Sequence, residues 1–206
     1  MNFPSKLIED AVNEISRLPG IGKKTALRLT LHLLKQPESS SQSLSHAIVK
    51  LRTEVRYCII CHNISDQEIC SICSSHRRDK SLICIVEDIP DVLAIENTAQ
   101  YNGLYHVLGG VISPIQGIGP DELKIDSLLH RIDTAAADDK VQEVILALSA
   151  TMEGDTTSFF ITRKLNERGI KVSTISRGIP IGGELEFTDE VTLGRSILTR
   201  ISYNAE

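Results

Sequence analysis

CIICHNISDQEICSIC, residues 58–73, carries four of the chain's five cysteines as two C-x-x-C pairs separated by a short polar spacer. Two such pairs supply four soft thiolates, the donor set of a tetrahedral Zn²⁺. A loop this short cannot hold a core of its own, so the metal has to staple it. With Cys58, Cys61, Cys70 and Cys73 all used, no coordination position stays open, and the zinc reads as structural rather than catalytic. A redox dithiol needs only one pair, set at a helix start. An iron–sulfur cluster would use the same ligand type, but the paired spacing favours zinc. His62 is the only spacer side chain able to compete as a ligand; it and His76 read as exposed neighbours. Asn63 tolerates the left-handed turn expected after the first knuckle.

The same stretch divides the chain. Before it, apolar residues recur at helical spacing. Leu7, Ile8, Ala11, Val12 and Ile15 predict a helix over 4–17, with Pro4 in its first turn. LPGIG at 18–22 is a tight turn, and Ala26, Leu27, Leu31 and Leu34 predict a second helix over 23–35. PESSSQS at 37–43 reads as a polar linker, and a third helix is expected over 44–56. After the cysteines, short apolar runs at 82–87, 144–149 and 171–176 alternate with helical candidates at 89–98, 121–137 and 156–168. That alternation predicts an α/β fold built on a mainly parallel sheet. Glycines at 109, 110, 117 and 119 mark loops, and a Gly/Pro-rich connection, RGIPIGGELEF, leads to a last helix near 189–201. Cys84 falls inside LICIV and reads as a small buried strand residue.

Composition agrees with a globular chain of 206 residues: 41% hydrophobic, 24% charged and without tryptophan, so its core is aliphatic. No secretory signal and no run of membrane-spanning length is visible. Paired C-x-x-C motifs used as metal ligands fit a reducing cytoplasm. Charge is divided unevenly: residues 1–80 hold 12 Lys/Arg against 8 Asp/Glu, whereas residues 81–206 hold 10 against 19. A basic first part suits a polyanion and an acidic remainder suits cations or basic partners.

Two constellations carry chemistry beyond the cysteines. In LPGIGKKTALRL, a glycine turn opens a helix whose free N–H groups and dipole favour a phosphate oxygen. Lys23, Lys24 and Arg28 surround that end, and no acid occurs from Gly22 to Lys35. Such contacts read the nucleic-acid backbone and not the bases. An ordinary αα-hairpin with a solvated basic face is the competing reading. The pattern is not a phosphate-binding P-loop, because Arg17 stands at its leading glycine and Lys24 at its Ser/Thr position. The second constellation is Glu87 after one apolar run with Glu153 and Asp155 after the next. Carboxylates at the C-terminal ends of parallel strands can hold Mg²⁺ through oxygens and water. Acids are also favoured at any helix N-terminus, and the residues alone leave both readings open.

The order of parts is specific over nearly the whole chain. LPGIG, the four-cysteine motif, VEDIPDVLAIENT, ATMEGDTTSFFITRKL and RGIPIGGELEFTDEVTLGRS together resemble the RecR family of bacterial recombination mediators. The resemblance implies a helix-hairpin-helix domain at 1–56, a C4 zinc finger at 57–80, a Toprim domain at 81–176 and a C-terminal extension at 177–206 that serves as an oligomer contact. It implies a non-enzymatic clamp on single- and double-stranded DNA, assembled as a ring-like oligomer, often a homotetramer, and acting in the cytoplasm at the nucleoid. Its implied partners are RecO and RecF, with which it helps load the RecA recombinase on gapped single-stranded DNA. The family's zinc ligands match Cys58, Cys61, Cys70 and Cys73; its DNA-contacting residues match Lys23, Lys24 and Arg28. The Toprim glutamate matches Glu87, and the Toprim D-x-D falls on Glu153-Gly154-Asp155. The first acid of that pair is a glutamate here, which argues against metal-dependent catalysis. The four tyrosines, Tyr57, Tyr101, Tyr105 and Tyr203, lie in no context resembling a topoisomerase nucleophile. The competing activities are a Mg²⁺-dependent Toprim nuclease and a scaffold without DNA contact.

Overall fold

The alternating residues of LICIV form the centre of the molecule's sheet. Ile83 and Ile85 point to one face and Cys84 and Val86 to the other, as the two-residue period of a strand requires. The computed structural model describes residues 3, 5–136 and 139–202. Pro4, Tyr203 and the last position of the helix expected over 121–137 lie outside the described residues. The chain forms two compact units, Met1–Val55 and Arg56–Glu206.

The first unit is helical: α1 (Lys6–Ser16), α2 (Lys23–Leu34) and α3 (Glu38–Glu54). Val12 of α1 and Ala26 and Thr30 of α2 are buried. Gly20, at φ 77°, supplies the left-handed turn between the first two helices. The expected linker at 37–43 is instead the start of α3. Pro37 fills the N-cap position, Glu38 sits in the first turn, and the Gln42 side chain donates to Glu38 at 3.0 Å. Serine costs a helix only tenths of a kcal/mol per residue, about 0.5 or less, so a proline start and a favourable first acid carry the run. None of α3 is buried.

The second unit opens with a two-residue antiparallel pair, β1 (Arg56–Tyr57) with β2 (Ile64–Ser65), flanking the first cysteine pair. A four-stranded sheet follows: β3 (Asp79–Val86), β4 (Gly103–Val107), β5 (Glu143–Ala147) and β6 (Lys171–Thr174), in the order β4-β3-β5-β6 and all parallel. Its helices are α4 (Ile89–Asn97), α5 (Ile125–Asp133), α6 (Met152–Asn166) and α7 (Glu190–Leu198). Val92 of α4 packs on the Cys84/Val86 face; Leu128 of α5 and Ile161 and Leu165 of α6 pack on the Ile83/Ile85 face. Burial pushes the Cys84 thiol up to about 12, which makes it inert.

The sequence reading contains no strand at 103–107, although all five of these residues are buried. Leu104, Tyr105 and Val107, bounded by Asn102-Gly103 and Gly109-Gly110, are the signal that identifies it. Helix α6 begins at Met152 and not at 156, because the Thr151 hydroxyl caps it by accepting from Gly154 N at 3.1 Å. Glu153 and Asp155 therefore lie in a helical first turn. A Cβ on Gly154 would overlap the Ser149 carbonyl oxygen. Gly154→Ala should cost about 2–3 kcal/mol, read as a shifted urea midpoint with unchanged slope; a variant as stable as wild type would show that α6 can move away from β5.

Candidate functional site

The four thiols converge. Their Sγ atoms all lie within 4.8 Å of one another, and Cys58, Cys61 and Cys70 are buried. The two knuckles repeat one backbone pattern: His62 N donates to Cys58 O at 2.9 Å, and Ser74 N to Cys70 O at 3.0 Å. Cys70 N donates to Cys58 Sγ and Cys73 N to Cys70 Sγ, each at 3.4 Å, so backbone amides offset negative charge on sulfur. The thiols are strongly coupled. Hydrogen bonds from Cys61 and Cys73 hold Cys70 far below the ordinary thiol range, while Cys61 and Cys73 are pushed up. Four thiolates this close need a cation among them, and the number, softness and spacing of these donors fit Zn²⁺. Among the described residues, no other group of three or more Cys, His, Asp or Glu side chains is arranged to hold a metal.

His62 is not the exposed neighbour expected from the sequence. It takes the left-handed conformation itself, at φ 62°, in place of Asn63, and its ring turns inward. Nε2 lies 2.7 Å from Ser127 Oγ on α5, and the ring meets His106 of β4 edge-on at 5.2 Å. His106 is fully buried; its Nε2 donates to Lys124 O at 2.9 Å, and its Nδ1 has no partner among the described residues. Burial pushes His106 down to about 3 and lowers His62 as well. His76 is exposed, as expected.

Lys23 and Lys24 are the first residues of α2, with Gly22 at the N-cap and no side chain capping the helix. The initial turn contains no acid, and both lysines and Arg28 are exposed. The first N–H groups of a helix have no intrahelical acceptor, so this end presents amides, dipole and ammonium groups together. One turn on, Lys24, Leu27, Arg28, Leu31, His32 and Lys35 line a shallow basic groove.

The acids stand at the switch point of the sheet, where connections leave β3 and β5 in opposite directions. Glu87 follows β3 and accepts from Ser149 Oγ, after β5, at 2.9 Å. Asp155 instead faces two arginines: Arg177 at 2.7 Å and Arg195, on α7, at 3.8 Å. Sequence reasoning named neither arginine, since each reaches Asp155 from a distant segment. The three carboxylates do not form a cluster with metal-ligand spacing.

Comparison with known proteins agrees with this division of parts. Family models match the RecR helix-hairpin-helix at residues 8–52, the RecR four-cysteine zinc finger domain at 55–75, the Toprim domain at 81–176 and the RecR C-terminal region at 178–201. Recombination protein RecR of Cytophaga hutchinsonii is 64% identical over 206 residues, 100% of this chain and 99% of that protein. The chain belongs to the RecR family. Recombination protein RecR of Porphyromonas gingivalis is 57% identical, over 98% of this chain and 96% of the relative; that of Flavobacterium johnsoniae is 57% identical, over 98% and 97%. The converging thiols are thus the four-cysteine zinc finger of RecR, and the parallel sheet is the RecR Toprim domain. No described helix is long and apolar enough to cross a membrane.

Proposed function

We propose that the chain is a recombinational DNA-repair factor: a non-enzymatic, zinc-braced clamp that binds DNA without regard to sequence. In this reading it works with RecO and RecF to help load RecA on gapped single-stranded DNA, in the bacterial cytoplasm at the nucleoid. The observation that carries the DNA contact is the start of α2, with a glycine N-cap, an acid-free first turn and exposed Lys23, Lys24 and Arg28. Phosphate contacts of this kind position a protein on DNA and carry no base information. One hairpin offers few of them, so useful affinity requires several chains on one DNA path, as a homotetramer with 177–206 among its contacts would provide. The division into 1–56, 57–80, 81–176 and 177–206 is the working description of these parts; the spans matched by the family models support it.

The acidic centre of Glu87, Glu153 and Asp155 is, in this reading, a partner-docking surface. A Mg²⁺ entering there would have to displace the guanidinium groups of Arg177 and Arg195 from Asp155. The test incubates the purified protein with labelled gapped DNA and Mg²⁺. Binding without strand cleavage is expected. Metal-dependent cleavage that disappears in Glu87→Ala would replace the clamp with a Toprim nuclease.

A further inference from the structure

His62 occupies a position that favours glycine. At φ 62° an L side chain is strained, and such strain persists where the surroundings over-determine it. Here the surroundings are distant in sequence. The His62 ring reaches Ser127, 65 residues along the chain, at 2.7 Å, and rests edge-on against fully buried His106. The preceding carbonyl, Cys61 O, accepts from Val107 N at 2.8 Å. Leu108 N turns the other way, to Val86 O of β3, so Val107 N lies on the outer edge of β4. The first knuckle therefore closes the sheet's edge through its backbone and anchors to α5 through its next side chain. Ile72, from the second knuckle, packs against the thiol cluster and against both faces of the sheet.

We propose that His62 is a positioning residue for the zinc site: clasped by Ser127 and His106, it fixes the backbone that aims Cys61, and it couples zinc occupancy to β4 and α5. Groups that orient metal ligands from outside the coordination sphere commonly change metal affinity by about 10–100-fold when removed. The inference rests on the zinc reading of the four cysteines, and the experiment separates the two.

The zinc content of the intact protein is measured first, followed by the rate of zinc transfer to an excess of a chromophoric chelator under native conditions. Wild type, His62→Gly and Ser127→Ala are compared. Glycine removes the ring and relieves the backbone, so a merely tolerated histidine predicts an equal or higher Tm and release no faster than wild type. The proposal predicts one zinc per chain in every variant, with release about 10–100-fold faster in His62→Gly. Ser127→Ala, which leaves the finger's own sequence intact, should move in the same direction to a smaller extent. Amide exchange along Ile125–Asp133 supplies a second readout. Stripping zinc should loosen this helix in wild type and change it much less in Ser127→Ala. Wild-type release rates in both variants would overturn the proposal; a wild-type protein without zinc would overturn the zinc reading itself.

Discussion

Cys58→Ala, or removal of zinc by a chelator, is expected to unfold the finger and to lower the melting temperature of the sheet it serves. The four thiols are the finger's own core, with Ile60 and Ile72 packed against them among the described residues. Structural zinc supplies about 10–16 kcal/mol of apparent binding energy in isolated finger peptides, far more than so small a cluster of apolar side chains. The damage should not stop at the finger's boundary. Without the knuckle, Val107 N loses its acceptor, the His62 ring leaves Ser127 and His106, and Ile72 is withdrawn from the sheet. One buried hydrogen bond and one partly buried isoleucine together amount to about 3 kcal/mol, which corresponds to a fall of roughly 6–12 °C for a chain this size. The freed edge of β4 also becomes a template for pairing with other chains, so aggregation should accompany the loss. Thermal melts and size-exclusion chromatography, repeated after adding zinc back, measure both effects. A zinc-free protein with unchanged melting and native mass would refute the bracing role.

Reversing charge at the start of α2 should abolish DNA binding without touching the fold. Lys23 and Lys24 are exposed and serve no internal ion pair among the described residues. In Lys23→Glu/Lys24→Glu the melting temperature should stay within about 2 °C of wild type, as for most surface substitutions. Each ammonium–phosphate contact contributes about 0.9 to the slope of log affinity against log salt on duplex DNA. The double variant should therefore flatten that slope by about 2 per engaged hairpin. Affinity should fall by at least about 100-fold near 0.1 M salt, because repulsion replaces attraction on every chain of the assembly. The loss should be uniform across DNA sequences, since no base is read. Fluorescence anisotropy across a salt series gives both quantities. Unchanged, salt-insensitive binding would move the DNA contact away from the hairpin and leave α2 as an ordinary basic face.

Features whose partners lie close in sequence are legible in the chain itself. C-x-x-C pairs bring two thiols together through covalent geometry alone, and the glycine turn with its two lysines needs only α1 and α2 around it. The alternation of LICIV and its companion runs is enough to call for a parallel sheet. What sequence reasoning misses depends on context. The serines at 39–41 look like a linker until Pro37 and Glu38 set the helix frame. The strand at 103–107 is short and glycine-flanked, and all five of its residues are buried because β3 lies beside it and helices cover the sheet.

The candidate site divides in the same way. The amino-acid sequence by itself determined the two thiol pairs and the basic helix start, because residues three to five positions apart are held close by local backbone geometry, and it set the order of the parts. Only the tertiary structure decided that His62 turns inward to Ser127 and His106, that Cys61 closes the edge of β4, and that Asp155 faces Arg177 and Arg195. These pairings join residues tens of positions apart. They are selected by how helices and strands pack, and no local pattern in the chain encodes that.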